Sequence, residues 1–195
     1  MSELAAAVRA GGAAAPLSSL DAPEGFLAVF DLHFDAVHRY LHRRAGADVA
    51  DDLAAETFAV AFARRAAFHD RGNGALPWLL GIATNLLRRH RRTEVRRLRA
   101  YARTGIDAWT QLDDATDAAR LDARTHGVRL AGALLALRRQ DREIFLLCTL
   151  GELTYSEAAD ALALPLGTVA TRMRRARERL AAQLVDLADE RNPDA

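Results

Sequence analysis

Apolar residues recur along this chain at steps of three and four, which is the spacing of one helix face. The first stripe follows Glu24 and comprises Phe26, Phe30, Phe34, Val37 and Leu41. A second helix is predicted from Asp48, whose carboxylate can cap it, through Phe62. After a loop predicted at residues 69–74, a third helix with Pro77 in its first turn runs through an arginine cluster. Strand-like alternation is missing, so the pattern predicts an all-α protein.

Composition divides this all-α chain into two small helical domains. Residues 1–22 are rich in Ala and Gly and are predicted to form a loose tail. Residues 23–102 form the first predicted domain and residues 121–187 the second. Between them, residues 103–120 carry several aspartates and no sustained apolar stripe, which is typical of a flexible acidic linker.

The second domain contains a short helix, a sharp turn and a longer helix. Thr154 and Glu157 have the spacing of a capping box, and the breaker at residues 164–167 follows the short helix. Two helices joined by so short a turn form a helix-turn-helix. At about 100° per residue, one face of the longer helix is apolar and is predicted to face the core. That face comprises Val169, Met173, Ala176 and Leu180.

The polar face of the longer helix has the character of a DNA-recognition surface. It lies roughly 110° from the apolar face and begins near the helix N-terminus, where a recognition helix meets base edges. Its members are Thr168, Thr171, Arg172, Arg175 and Arg179. Arg174 and Arg177 lie further round and suit phosphate contacts. Arginines on a helix are often only solvated, but the capping box, the breaker and the sorted faces together favour DNA binding.

Charge is distributed unevenly, although the formal net charge is only +1. Residues 21–63 hold eight acids against three arginines, whereas residues 85–103 hold eight arginines against one glutamate. Oppositely charged parts of one domain indicate two different partners, one of them nucleic acid. Merely solvated helix faces are the alternative.

The third helix of the first domain carries the residue types that bind unpaired bases. Trp78 can stack a base, the Asn85 amide can hydrogen-bond a base edge, and Arg89 and Arg92 can hold phosphates. The loop before Trp78 is placed to contact an extruded base. For Trp78, a position in the core remains an equal alternative.

The second helix of this domain is acidic and therefore does not favour DNA. An acidic, partly apolar face suits a protein partner with a basic groove, while a solvated face remains possible. The candidate residues are Asp51, Asp52, Leu53, Glu56 and Phe58.

Three segments resemble, in order, the signature regions of the sigma-70 family of RNA polymerase sigma factors. Residues 48–58 resemble region 2.2, and residues 77–86 with the arginines after them resemble regions 2.3 and 2.4. Residues 153–162 and 167–180 resemble region 4.2. The short linker and the lack of a region 3 domain resemble the extracytoplasmic-function (ECF) group.

The resemblance implies a transcription initiation factor that binds core RNA polymerase, directs it to promoters and helps to melt them. The polymerase surfaces would be the β′ clamp helices, contacted by the acidic helix, and the β flap. The −10 element would be bound by the loop before Trp78 and by a set comprising Trp78, Asn85, Arg88, Arg89, Arg91 and Arg92. The −35 element would be bound by a set comprising Thr168, Thr171, Arg172, Arg174, Arg175 and Arg179. An anti-sigma factor is a further expected partner.

The chain departs from the family pattern at three positions. Ala170 stands where many relatives carry a basic residue, which puts one −35 contact in doubt. Thr84 replaces a frequent arginine beside Asn85. Ala55 occupies a position that is often glutamine in the polymerase-docking motif.

Two other classes of function compete with the one that this resemblance implies. A stand-alone repressor or activator could use the same helix-turn-helix, but it leaves the acidic helix and the Trp78 face without a role. An enzyme is disfavoured, because His38 and His42 have no third metal ligand at a sensible spacing. We therefore expect no catalysis, cofactor, metal or small-molecule substrate.

Localisation is predicted from the cysteine content and from the apolar runs. Cys148 is the only cysteine and lies in an apolar run, which indicates a core thiol in a reducing compartment. Neither a signal peptide nor an apolar run approaching the ~20 residues of a membrane span is evident. A cytoplasmic protein without membrane insertion is expected.

Overall fold

The computed structural model describes residues 23–90, 95–96, 99–100, 103 and 117–189. This part of the chain contains α-helices and a short 3-10 turn at Arg65–Ala67, with no strand among its residues, so the all-α prediction is confirmed. The main helices are α1 (Pro23–Ala45), α2 (Ala47–Arg64), α3 (Leu76–Arg89), α4 (Asp117–Ala136), α5 (Arg139–Thr149), α6 (Tyr155–Leu162) and α7 (Leu166–Asp189).

Helices α1, α2 and α3 form the first helical unit around the stripe predicted from Glu24. Val37 and Leu41 are fully buried, and Phe26 is nearly so. At the outer end of α1, Phe26 and Phe30 meet Phe58 of α2 edge-on, with ring centroids 6.5 and 4.8 Å apart. Edge-to-face packing of this kind adds to the stabilisation from burial alone, and it fixes α2 against α1.

Two predicted helix boundaries in this unit were wrong. Asp48 does not cap α2; the helix begins one residue earlier, after Gly46, whose φ of 93° ends α1 and starts α2 without a side-chain cap. Asp48 lies in the first turn, where its charge favours the helix dipole. Helix α3 ends at Arg89, because His90 leaves helical geometry at ψ 12°. Arg91 and Arg92 fall outside the described residues.

Helices α4 to α7 form the second unit and contain the predicted helix-turn-helix. The capping box is present: the Glu157 amide donates to Thr154 Oγ1, and the Thr154 amide donates to the Glu157 carboxylate. Ala163 adopts the left-handed conformation that ends α6. All four residues predicted on the core face of α7, from Val169 to Leu180, are buried.

The two units are packed against each other through a common core. Ile144, Leu147 and Met173 of the second unit belong to the same buried cluster as Leu79 and Leu87 of α3. Helices α3 and α6 touch at the backbone: a Cβ placed on Gly81 would clash with the carbonyl oxygen of Ala161. The absence of a side chain at Gly81 therefore permits this approach.

A buried polar network also joins the two units. The Tyr40 hydroxyl lies 2.9 Å from Thr84 Oγ1. The Arg44 guanidinium donates to the Tyr40 hydroxyl and, over 2.8 Å, to the carboxylate of Glu143 in α5. Burial raises the pKa of Tyr40. Buried charges require such partners, because an unpaired one is strongly destabilising.

Candidate nucleic-acid interface

Helix α7 presents most of the predicted −35 residues on its outer side. Thr171, Arg174, Arg175 and Arg179 are exposed, and Thr168 is half-buried. The Thr171 hydroxyl donates to the carbonyl oxygen of Gly167, 2.8 Å away, which orients its methyl group as well. Arg174 pairs with Glu178 at 2.7 Å on the same helix face. Exposed pairs of this kind contribute little to stability and exchange readily for a phosphate.

Two of the predicted −35 arginines are engaged by a residue that the sequence analysis missed. Asp141 of α5 has a side chain only 4% exposed, and it lies 3.2 Å from Nη1 of Arg172 and 3.6 Å from Nη1 of Arg179. The pattern contained a signal for this role. Asp141 lies one helical turn before the buried Ile144. An acidic residue therefore stands on the apolar face of α5.

The loop between α2 and α3 is organised by Asp70. Its Oδ1 accepts the backbone N–H groups of Gly72 and Gly74, each over 2.9 Å. Both glycines have positive φ, 94° and 71°, a conformation that other residues adopt only with strain. The loop at 69–74 is thus confirmed as non-helical and is held in one shape.

Trp78 lies at the base of this loop and is half-buried rather than exposed. Its ring packs on Phe68 with centroids 4.7 Å apart, and both border a cavity of about 260 Å³. Arg71, His69 and Asp160 also line that cavity. Ile82, one helical turn further along α3, is buried in the core.

The remaining predicted −10 residues lie near the C-terminal end of α3. Asn85 is exposed, and its Oδ1 accepts a hydrogen bond of 2.9 Å from Arg88. Arg89 is exposed and lies 4.0 Å from Glu56 of α2. Thr84, the departure from the family pattern, is completely buried beside Tyr40. Its hydroxyl therefore serves the core network, not a surface.

The acidic set on α2 divides into two faces. Asp51, Asp52 and Glu56 are exposed, whereas Leu53 and Phe58 are buried in the core at 1% and 4% exposure. Asp51 Oδ1 lies 2.7 Å from Nε2 of His38 on α1. The carboxylates therefore form an accessible acidic surface, and the two apolar residues hold its helix in place.

The two histidines of α1 and Cys148 are further residues singled out in the sequence. His38 and His42 are neighbours on α1, but no group of three or more potential metal ligands occurs in the described ranges. Burial raises the pKa of the half-buried Cys148 thiol to about 11, which makes it a poor nucleophile near neutral pH. Among the described helices, none is long and apolar enough to span a bilayer.

Comparison with known proteins matches both units of the fold. The family described as Sigma-70 region 2 matches residues 29–97, and that described as Sigma-70, region 4 matches residues 128–180. The ECF RNA polymerase sigma factor EcfG of Rhodopseudomonas palustris is 35% identical over 76% of this chain and 78% of its own length. SigC of Mycobacterium tuberculosis, also an ECF sigma factor, is 33% identical over 75% of this chain and 76% of its own length.

This chain matches only part of the length of another relative. The ECF RNA polymerase sigma factor BldN of Streptomyces coelicolor is 29% identical over 84% of this chain, which spans 61% of BldN.

Solved structures share the fold. CnrH in complex with the cytosolic domain of CnrY has a TM-score of 0.60 at 23% identity and covers 87% of this chain and 94% of its own. RpoE from Bartonella quintana, in complex with the anti-sigma factor NepR, has a TM-score of 0.53 at 24% identity, covering 82% and 96%.

These matches define the class, which is that of the transcription initiation factors built from sigma regions 2 and 4. The chain belongs to the ECF group of the sigma-70 family of RNA polymerase sigma factors.

Proposed function

We propose that this chain binds core RNA polymerase and directs it to promoters by contacting a −35 element with α7 and a −10 element with the α2–α3 loop and α3. The observation that carries the proposal is the sorting of α7. One side supplies four buried residues to the core, and the outer side exposes threonine and arginine side chains beside a capped helix-turn-helix. Such a helix fits the major groove of duplex DNA.

Within α7, the proposed readers of the −35 bases are Thr168, Thr171 and Arg175, which lie toward the N-terminal half of the helix. Arg174 suits a phosphate, since only an exposed intrahelical pair competes for it. Arg172 and Arg179 belong to the proposed −35 set through their place on this face, and their contacts with Asp141 also fix the orientation of α7.

For the −10 element, the proposed base site is the cavity between the Asp70-organised loop and Trp78. Its volume is about 260 Å³, and one wall is aromatic. Aromatic walls and arginines are the usual equipment for single-stranded bases. Asn85, Arg88, Arg89 and, beyond the described residues, Arg91 and Arg92 would continue this surface along the strand.

The proposed polymerase contact is the exposed acidic surface of α2. Asp51, Asp52 and Glu56 point outward from a helix that Leu53 and Phe58 anchor. This charge suits a basic groove such as that expected on the β′ clamp helices, and the second unit would contact the β flap. Because the proposed function requires polymerase and chromosomal DNA, the proposed location is the cytoplasm.

Control by an anti-sigma factor is also proposed. Two proteins that share the fold were solved as complexes: CnrH with the cytosolic domain of CnrY, and RpoE with the anti-sigma factor NepR. A partner covering the acidic surface of α2 or the outer side of α7 would block polymerase or DNA. Affinity purification of the tagged chain, followed by mass spectrometry, would identify the partner.

Run-off transcription with purified core polymerase tests the main proposal. We expect promoter-specific transcripts from genomic templates only when the chain is added. The double variant Asp51→Arg/Asp52→Arg should lose core binding, while the matched charge change Glu178→Arg, outside α2, should retain it. Absence of core binding by the unmodified chain would overturn the proposal, and tight duplex binding without polymerase would favour a stand-alone regulator.

A further inference from the structure

The buried carboxylate of Asp141 contacts two arginines of α7 at once. Its Oδ1 lies 3.2 Å from Nη1 of Arg172, and its Oδ2 lies 3.6 Å from Nη1 of Arg179. Each carboxylate oxygen therefore faces a different arginine. The Asp141 side chain is almost completely buried, whereas both arginine side chains remain partly exposed at the surface of α7.

Arg172 and Arg179 stand two turns apart on the same side of α7. Seven residues at about 100° each bring the second arginine to within about 20° of the first. At 1.5 Å per residue, their Cα atoms are separated by about 10 Å along the helix axis, so the two guanidinium groups converge on the one carboxylate. Contacts separated in this way oppose both rotation of α7 about its axis and sliding of α7 along it.

Asp141 is itself held in place by α5. It lies in the first turn of that helix, where the helix dipole favours an anion. Further along α5, Leu146 belongs to the same buried cluster as Ala176 and Leu180 of α7. This apolar packing fixes α5 against α7, and the carboxylate therefore stands at a fixed point beside the polar face of the recognition helix.

A DNA phosphate would have to compete with this carboxylate for both guanidinium groups. Releasing an arginine would leave a buried anion with fewer partners, which is strongly unfavourable. The Arg174–Glu178 pair is the opposite case, because both of its side chains are more than half exposed and such a pair exchanges readily for a phosphate. The arginines of α7 thus include held ones and available ones.

Holding an arginine affects binding to arbitrary DNA more than binding to a matched site. Non-specific affinity comes from cations that neutralise phosphates in any register along the duplex. A guanidinium carries five N–H donors, so an arginine held through Nη1 keeps donors for DNA but presents them in one direction. It contributes where the DNA offers an acceptor in that direction and contributes little elsewhere.

We propose that Asp141 is a positioning residue that makes α7 selective for a −35 element. It withholds Arg172 and Arg179 from arbitrary phosphates, and it fixes α7 so that Arg175, between them in the sequence, meets the base edges. This inference rests on the function proposed above and deepens it, because it assigns part of the sequence selectivity to a residue outside the recognition helix.

The first test removes the charge of Asp141 and keeps the shape of the side chain. In Asp141→Asn, the affinity of the full chain for a random-sequence duplex at low salt should rise about three- to tenfold. The slope of log affinity against log salt concentration should steepen by about 1 for each released arginine. This gain separates the proposal from a purely structural role of Asp141, which predicts weaker binding to every duplex.

Selectivity is measured with the holoenzyme, as the ratio of affinities for a promoter duplex and for the same duplex with a scrambled −35 element. Asp141→Asn should lower this ratio by about the same three- to tenfold factor. Asp141→Glu retains a carboxylate and should recover part of the ratio. Glu178→Gln, the matched control, removes an equal charge from an exposed pair and should change the ratio by less than about twofold.

A second pair of variants leaves the buried position untouched and guards against misfolding of Asp141→Asn. Arg174→Gln should make the salt slope for the random duplex shallower by about 1, because this arginine is available to a phosphate. Arg179→Gln removes the same charge from a held arginine and should change the slope much less. Circular dichroism checks that each variant is folded.

Two results would overturn the proposal. One is a folded Asp141→Asn variant whose random-duplex affinity and selectivity equal those of the parent chain. The other is an equal change of salt slope in Arg174→Gln and Arg179→Gln. Failure of the proposed function is distinguishable from both. If the chain never binds core polymerase, the random-duplex measurements on the free chain still decide whether Asp141 withholds the two arginines.

Discussion

The carboxylate of Asp141 accepts a hydrogen bond of 3.2 Å from Nη1 of Arg172, which lies 31 residues further along the chain. This bond ties the recognition helix α7 to α5, and the Asp141 side chain is almost completely buried. Arg172 therefore has a positioning role within the fold. Arg175 is exposed on the same helix, and the two arginines can be separated by experiment.

We expect Arg172→Ala to lower the free energy of unfolding by about 1–3 kcal/mol, because it leaves the buried Asp141 with a weaker set of partners. Arg175→Ala should change stability by less than about 0.5 kcal/mol. The same Arg175→Ala variant should lose about 1–3 kcal/mol of discrimination against the wrong base at one −35 base pair. Urea denaturation and promoter-binding titrations measure the two effects, and equal stability losses would contradict this division of roles.

The Arg44–Glu143 pair gives a second prediction about stability. Glu143→Ala removes a carboxylate partner from a fully buried guanidinium, and breaking such a pair typically costs about 3–5 kcal/mol. The free chain should therefore melt at a markedly lower temperature. Glu178→Ala is the control, because it removes an exposed partner of Arg174 and should have almost no effect.

A calorimetric scan of both glutamate variants would show whether the Arg44–Glu143 pair stabilises the free chain. If Glu143→Ala melts like the parent chain, the buried network between the two units does not stabilise the free protein. Since Glu143 contacts the first unit from the second, a split of the melting curve into two transitions is the expected form of the change.

Thr84 stands where the family frequently has arginine. We expect that restoring the arginine destabilises this chain, although the change is toward the family pattern. Thr84→Arg would insert another large group beside Tyr40, which already contacts Arg44, at a position with no exposure. An extra buried cation and overpacking should destabilise the chain by about 3 kcal/mol or more. Ala55→Gln, a second change toward the family pattern but at an exposed position, should be tolerated.

Thermal melts of these two variants, followed by circular dichroism, provide the measurement. A Thr84→Arg variant as stable as the parent would mean that α3 can turn this position outward. Improved polymerase binding by Ala55→Gln would further support the assignment of α2 as the docking helix.

Cys148 gives a prediction about pH. Burial raises the pKa of its thiol from 9.0 to about 11, so the folded chain holds this proton more tightly than the unfolded chain. The corresponding stabilisation is fully present below pH 9 and is lost as the pH rises toward 11. Iodoacetamide should alkylate Cys148 in the native chain much more slowly than in urea at pH 8. Equal rates would show that the thiol is not protected.

Signals contained within a few turns of helix were enough to predict much of this protein. The period of apolar residues predicted α1 and the core face of α7, and the three-residue spacing of Thr154 and Glu157 predicted the start of α6. These features depend on neighbours along one helix, whose geometry is the same in every protein. The loop before α3 was predictable for a similar reason, since Asp70, Gly72 and Gly74 interact within five residues.

Only the tertiary structure could decide the roles of residues that meet across the fold. Asp141 and Arg172 are 31 residues apart, Asn73 and Asp160 are 87, and Arg44 and Glu143 are 99. A periodic pattern identifies a face but not the element that covers it. For that reason the sequence by itself determined an all-α chain with two helical units, one of which contains a capped helix-turn-helix. The tertiary packing decided that Trp78 is half-buried against Phe68, that Thr84 is internal beside Tyr40 and that the loop at residues 69–74 is bonded to α6.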